Sequence, residues 1–148
     1  VTDLQDEALA VASRMGATRC INVMQDAEAM TVFAADKGHF DVVFECSAAE
    51  PAIRSAIAAL RPRGTLVQVG VAGDTPLPLN AVVAKELRVL GTFRFDAEFA
   101  EAVEAIVTGR IDVRPMITQN FPLEQALEAF RAATDRSKSV KVHLTLSE

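Results

Sequence analysis

Two near-continuous apolar runs constrain this chain most: FDVVFEC at residues 40–46 and TLVQVGV at 65–71. A strand that is apolar at almost every position, rather than at every second one, is buried on both faces, as parallel sheets require. Between the runs, residues 50–60 carry Ile53, Ile57 and Leu60 at helical spacing, with Pro51 tolerated in the first turn. Arg61-Pro62-Arg63-Gly64 then breaks the helix. Strand, helix and strand in that order form a βαβ unit with a right-handed crossover.

The same alternation extends both ways. Val1-Thr2-Asp3 reads as the last steps of a strand. Residues 4–15 read as a helix with Leu4, Ala8, Val11, Ala12 and Met15 on one face, stopped by Gly16. Cys20-Ile21-Asn22-Val23 is a short strand. Residues 27–37 form a weaker helix, with Met30, Phe33 and Ala34 inward and Gly38 at its end. Beyond the second apolar run, 73–78 is a turn-rich loop and 80–85 a short helix capped by Asn80. Residues 87–95 are a strand. Asp96 caps a helix over 97–108, with Phe99, Val103, Ile106 and Val107 inward and Gly109 ending it. Residues 116–121 are extended, and 123–134 form a helix with Leu123, Ala126, Leu127 and Phe130 on one face. Residues 139–146 alternate strictly, with Val140, Val142, Leu144 and Leu146 opposite Lys141, His143 and Thr145. That is a half-exposed strand, expected in a different sheet.

The chain has 148 residues, half of them hydrophobic, and a net charge of −5. The charge argues against a nucleic-acid partner, because neutralising phosphates needs clustered Lys and Arg. No apolar run approaches the ~20 residues of a membrane span, and the first residues lack the basic start and apolar core of a signal peptide. Two cysteines, Cys20 and Cys46, are no disulfide framework; both are expected as buried free thiols in a cytoplasmic protein. Two distant histidines, without C-x-x-C or H-x-x-x-H spacing, predict no complete metal site.

Ligands of open parallel sheets bind at the carboxyl ends of the strands. Those ends are Asp3, Val23-Met24, Cys46-Ser47-Ala48, Val69-Gly70-Val71 and the last residues of 87–95. An acid where Asp3 stands can accept hydrogen bonds from an adenosine ribose. It should follow a Gly-rich turn by ~20 residues, and no G-x-G-x-x-G occurs in the chain. Asp3 can equally be a helix N-cap. Arg94, at a strand's ligand end, can hold a carboxylate or vicinal hydroxyls bidentately, or can be a solvated edge charge. Glu45 interrupts the first apolar run; it either pairs with Arg54 or Arg63 or sits at the wet strand end. His143 reads as exposed.

Six pieces in order carry a family resemblance: VTDLQDEALAVASRMGA, GHFDVVFECSAAEPAI, LRPRGTLVQVGV, KELRVLGTFRF, ITQNFPLEQALEAF and SVKVHL. Together they resemble the cofactor-binding half of the zinc-dependent medium-chain dehydrogenases, closest to the sorbitol and L-idonate 5-dehydrogenase branch. The resemblance implies an α/β fold: a Rossmann-like doubly wound parallel sheet, here truncated before its second strand. Residues 1–115 would be a partial dinucleotide-binding domain, and 116–148 a segment returning toward a catalytic domain. It implies that Asp3 binds the adenosine ribose and, by repelling a 2′-phosphate, favours NAD over NADP. Leu4 stands where NADP-binders often carry Arg. Many relatives have a basic residue at the position of Ala8, and that contact is missing. Cys46 and Ser47 would lie beside the cofactor, and Val69, Gly70 and Val71 along the nicotinamide ribose. Thr92, Phe93 and Arg94 would hold the carboxamide, with Arg94 and Phe95 facing the substrate.

The implied chemistry is hydride transfer between NAD and a secondary alcohol of a polyol or sugar acid, with zinc polarising the alcohol oxygen. The zinc ligands and Gly-rich turn fall outside this chain, so no catalytic or metal residue is expected in it. It is expected not to turn over alone and to bind NAD weakly or not at all. The 87–95 edge strand implies a homodimer or homotetramer, since an apolar edge needs cover. Two competing readings remain. An S-adenosylmethionine-dependent methyltransferase shares the strand-end acid, the FDVV strand and the L-x-P-x-G-T-L entry. A non-catalytic dimerisation domain is the other.

Overall fold

The computed structural model describes residues 1–71 and 73–146. The chain divides into two compact units: Val1–Ala27 with Asp96–Glu148, and Glu28–Phe95.

The second unit holds the βαβ pattern. Strand β3 (Phe40–Glu45), helix α3 (Glu50–Ala59), strand β4 (Leu60–Gln68), helix α4 (Leu79–Ala84) and strand β5 (Arg88–Gly91) follow in order. The sheet is parallel throughout, in the order β3-β4-β5, with Val43 opposite Leu66 and Leu66 opposite Val89. Ile53, Ala56 and Ile57 of α3 pack with Leu60 and Leu66 to form the core, joined by Val43, Ala81, Val82 and Leu87. Ile57, Leu60 and Leu66 are fully buried, each contributing roughly 1.5–3 kcal/mol of transfer free energy. Lys85 closes this layer. Its Nζ donates to the carbonyls of Ile57, Ala58 and Leu60 at 3.0, 2.7 and 2.8 Å, satisfying the C-terminal end of α3.

Three expectations change here. Burial on both faces of the first apolar run does not hold: Val42 is 47% and Phe44 67% exposed. Val43 packs against the core under α3, while Val42 and Phe44 on the other face are exposed. The helix ends before residues 61–64, as expected, but the strand starts earlier than 65. Strand β4 begins at Leu60 and carries 61–64 as a bulge, with the register shifting between the Phe40 and Val42 pairings and Arg63 in the left-handed region. The expected helix over 27–37 reduces to α2 (Thr31–Ala34) and one 3-10 turn, ended by Asp36 and Lys37 at positive φ. Gly38, at φ +107, passes so close to β4 that an added Cβ would lie 2.1 Å from the Leu60 carbonyl oxygen.

The first unit begins with β1 (Thr2–Asp3) and α1 (Asp6–Arg14), followed by β2 (Ile21–Asn22), which pairs parallel with β1. Later in the chain come α5 (Glu98–Val107), β6 (Ile117–Pro122), α6 (Ala126–Thr134) and β7 (Lys141–Thr145). Strand β7 lies in a separate sheet, as expected from its strict alternation; its partner is β6, paired parallel, and Val142 and Leu144 are its half-buried side chains. The apolar stripes of two helices are outward rather than inward. Phe99, Val103, Ile106 and Val107 on α5 are exposed, as are Leu123, Leu127 and Phe130 at α6. The small residues Ala105 and Ala129 are the buried ones. Neither Asn80 nor Asp96 caps its helix: Pro78 and Ala97 hold those positions, and the Asp96 N–H donates to the Glu98 carboxylate at 3.0 Å.

Candidate functional site

Parallel pairing sends the carboxyl ends of β3, β4 and β5 to one edge of the second unit, and the expected residues sit there in sequence order. Cys46 and Ser47 follow β3, Val69, Gly70 and Val71 follow β4, and Thr92, Phe93, Arg94 and Phe95 follow β5. Asp3 and Leu4 end β1 in the other unit.

The three ends are tied together by backbone. The Glu45 carbonyl accepts from the N–H groups of Val69 and Gly70 at 2.8 and 2.9 Å, and the Gln68 carbonyl accepts from Thr92 at 3.1 Å. Gly70 has no room for a side chain, since a Cβ would lie 2.5 Å from the Ala48 nitrogen. Strand β5 ends at Gly91, earlier than the apolar run 87–95 predicts. Arg94 takes φ +55, and its guanidinium lies over the Phe93 ring at 5.1 Å. Phe93 and Phe95 are exposed. The edge therefore presents backbone, two aromatic rings and one guanidinium.

Glu45 is the residue whose role the sequence misjudges. It is neither paired with an arginine nor wet. Arg54 pairs with Glu50 and Arg63 with Glu86, while Glu45 is only 5% exposed. Its carboxylate accepts from the Ser47 N–H at 2.9 Å, the Ser47 hydroxyl, the Ala48 N–H at 2.8 Å and the Gln68 amide at 2.6 Å. Burial pushes its carboxyl up, but these bonds outweigh that and hold it below the ordinary value of 4.5. One signal was available: Glu45 and Gln68 each interrupt an apolar run, and they stand opposite each other in register. Cys46 is exposed rather than buried, because it lies past the last strand residue. Desolvation and the Glu45 charge push its thiol above 9.0.

Asp3 is not the helix cap. That position belongs to Gln5, whose side chain makes no capping bond. Asp3 Oδ1 accepts from the Leu4 and Gln5 N–H groups at 2.7 and 3.0 Å, while Oδ2 faces Arg136 at 3.8 Å. One oxygen is thus held by backbone and the other by an ion pair with an exposed arginine. A cavity of about 340 Å³ at the far end of α1 is lined by Arg14, Met15, Arg110, Ile111, Asp112 and Pro115, none of them an expected site residue. There, hydrogen bonds from Arg114 hold Asp112 down to about 2. Among the described residues no group of three or more His, Cys, Asp or Glu side chains is placed to hold a metal. His143 is exposed, as expected.

Residues 1–108 match the family model described as zinc-binding dehydrogenase. L-Idonate 5-dehydrogenase (NAD(P)(+)) of Escherichia coli K12 is 34% identical over 143 residues, covering 96% of this chain and 41% of that protein. Sorbitol dehydrogenase of Bacillus subtilis is 33% identical over 147 residues, covering 96% of this chain and 41% of its own. The crystal structure of L-idonate 5-dehydrogenase from Escherichia coli K-12 superposes with a TM-score of 0.90 at 33% identity, over 98% of this chain and 42% of that one. The chain thus spans about two fifths of the length of these relatives.

Proposed function

The chain belongs to the zinc-binding dehydrogenase family, and from that premise we propose that it is the cofactor-binding part of a longer NAD-dependent polyol or sugar-acid dehydrogenase. The observation that carries this reading is the shared edge of β3, β4 and β5, where the residues expected to touch the cofactor follow three parallel strands. The family match also sets aside the methyltransferase alternative.

Asp3 would hold the adenosine ribose through its outer oxygen and disfavour a 2′-phosphate. Cys46, Ser47, Val69, Gly70 and Val71 would lie along the cofactor, and Thr92, Phe93 and Arg94 would hold its carboxamide end. Leu4 would flank the ribose without a charge for NADP. Arg94 and Phe95 would face the substrate, the guanidinium taking a carboxylate or a pair of hydroxyls bidentately. Bound NAD supplies the hydride acceptor. Residues 1–115 would make up the partial dinucleotide domain and 116–148 the return toward a catalytic domain. The zinc would be held by residues beyond this chain.

Every residue of β5, the outer strand of its sheet, is exposed, which supports a homodimer or homotetramer through residues 87–95. No helix among the described residues is long and apolar enough to cross a membrane, and we place the enzyme in the cytoplasm.

The test is the full-length polypeptide with NAD or NADP and a panel containing L-idonate, sorbitol and xylitol. Reduction of NAD by at least one of them, abolished by a zinc chelator, is the expected result. Failure to bind either dinucleotide would overturn the reading.

A further inference from the structure

Glu45 occupies a position that ordinarily excludes a charge. Taking a carboxylate out of water is strongly unfavourable unless hydrogen bonds replace its hydration. Glu45 recovers them from two places at once: from its own turn, through Ser47 and Ala48, and from the neighbouring strand, through Gln68. The ladder between β3 and β4 does not need this. It already pairs Val43, Phe44 and Glu45 with Leu66, Val67 and Gln68 through backbone.

What the carboxylate adds lies past the strand ends. Ala48 sits at φ +56, a left-handed conformation that is strained for a non-glycine residue, and its N–H points at Glu45 Oε2. The Gln68 amide that reaches Glu45 also donates to the Gly70 carbonyl at 3.1 Å. Gly70 in turn lies against the backbone of residues 46–48 with no space for a methyl group. One buried acid therefore fixes the turn after β3, the turn after β4, and the contact between them.

We infer that Glu45 is a positioning residue for the dinucleotide: its carboxylate holds the 46–48 and 69–70 backbone in the geometry that receives the cofactor, without touching it. The inference rests on the dehydrogenase reading above. It distinguishes a positioning role from a tie between two strands.

The full-length polypeptide carrying Glu45→Gln tests it. NAD affinity is expected to fall by about tenfold or more, the scale on which misplaced contacts act, while KM for the alcohol at saturating NAD stays near wild type. Amide exchange at Ser47, Ala48 and Gly70 should accelerate, with Val43 and Leu66 unchanged. The exchanged pair Glu45→Gln with Gln68→Glu restores an acid–amide tie between the strands but leaves the turn one acceptor oxygen instead of two and removes the donor to the Gly70 carbonyl. It is expected to remain defective, and full recovery would overturn the inference, as would unchanged NAD affinity in Glu45→Gln. Should Glu45→Gln not fold, Gln68→Met cuts the link to Gly70 and leaves the turn donors in place. Weakened NAD binding with faster exchange at Gly70 then supports the inference, and wild-type affinity overturns it. Absence of NAD binding in the wild type would defeat the dehydrogenase reading instead, while amide exchange would still decide whether Glu45 holds the turn.

Discussion

At the scale of single residues, the acidic limb of stability is the place where Glu45 should be visible. Its carboxyl titrates below the ordinary 4.5 in the folded chain. A depressed value means that the unfolded chain binds the proton more readily. The stabilisation is therefore complete above 4.5 and is lost as pH falls below it toward the folded value. Glu45→Gln should cost about 1–3 kcal/mol at neutral pH, the range for stripping buried donors of their acceptor. That cost should shrink on acidification below 4.5, because the wild type weakens there and the variant has nothing to titrate. Urea midpoints of both proteins at neutral and acidic pH measure the difference; a gap of constant size would refute the assignment. The sequence marks Glu45 as an outlier but cannot say what satisfies it. A buried acid invites a search for a cation, whereas the donors here are N–H groups two and three residues further on and an amide on the next strand. Asp3 is a similar case: its type fits both a cap and a ribose ligand, and the position of Gln5 at the helix start removes the cap alone.

At the scale of elements, periodicity reports which face is apolar and not what covers it. The strand and helix order was legible throughout, and β7 was recognised as belonging to a separate sheet from alternation alone. The stripes on α5 and α6 are equally legible, yet their large side chains are exposed. The same holds for Phe44 on β3. Edge strand β5 is the element with the most direct consequence for assembly. Val89 and Leu90 are 41% and 52% exposed on a strand whose outer hydrogen-bonding side is unpaired within its sheet. If copies associate there, Leu90→Lys should shift the full-length protein toward monomer without loss of helix or sheet content, since a charge on an edge blocks strand addition. Sedimentation velocity beside circular dichroism would show it. An unchanged oligomer would place the interface elsewhere.

At the scale of the whole molecule, the two units differ in how the chain builds them. Glu28–Phe95 is one uninterrupted stretch, whereas the other unit joins Val1–Ala27 to residues from Asp96 onward. During synthesis, which runs at about 5–20 residues per second, the continuous unit has every one of its own contacts available once Phe95 has emerged. Residues 1–27, which pair β1 with β2 among themselves, complete their unit only with residues from 96 onward. Order of synthesis and order of completion thus differ within this stretch of chain. In pulse-labelled refolding, amides of β3 and β4 should gain protection before those of α6 and β7; simultaneous protection would refute this order. A nascent chain from which Phe95 has just emerged should accordingly carry residues 28–95 folded and residues 1–27 without their later partners, so that shielding of 1–27 matters until the rest has been made.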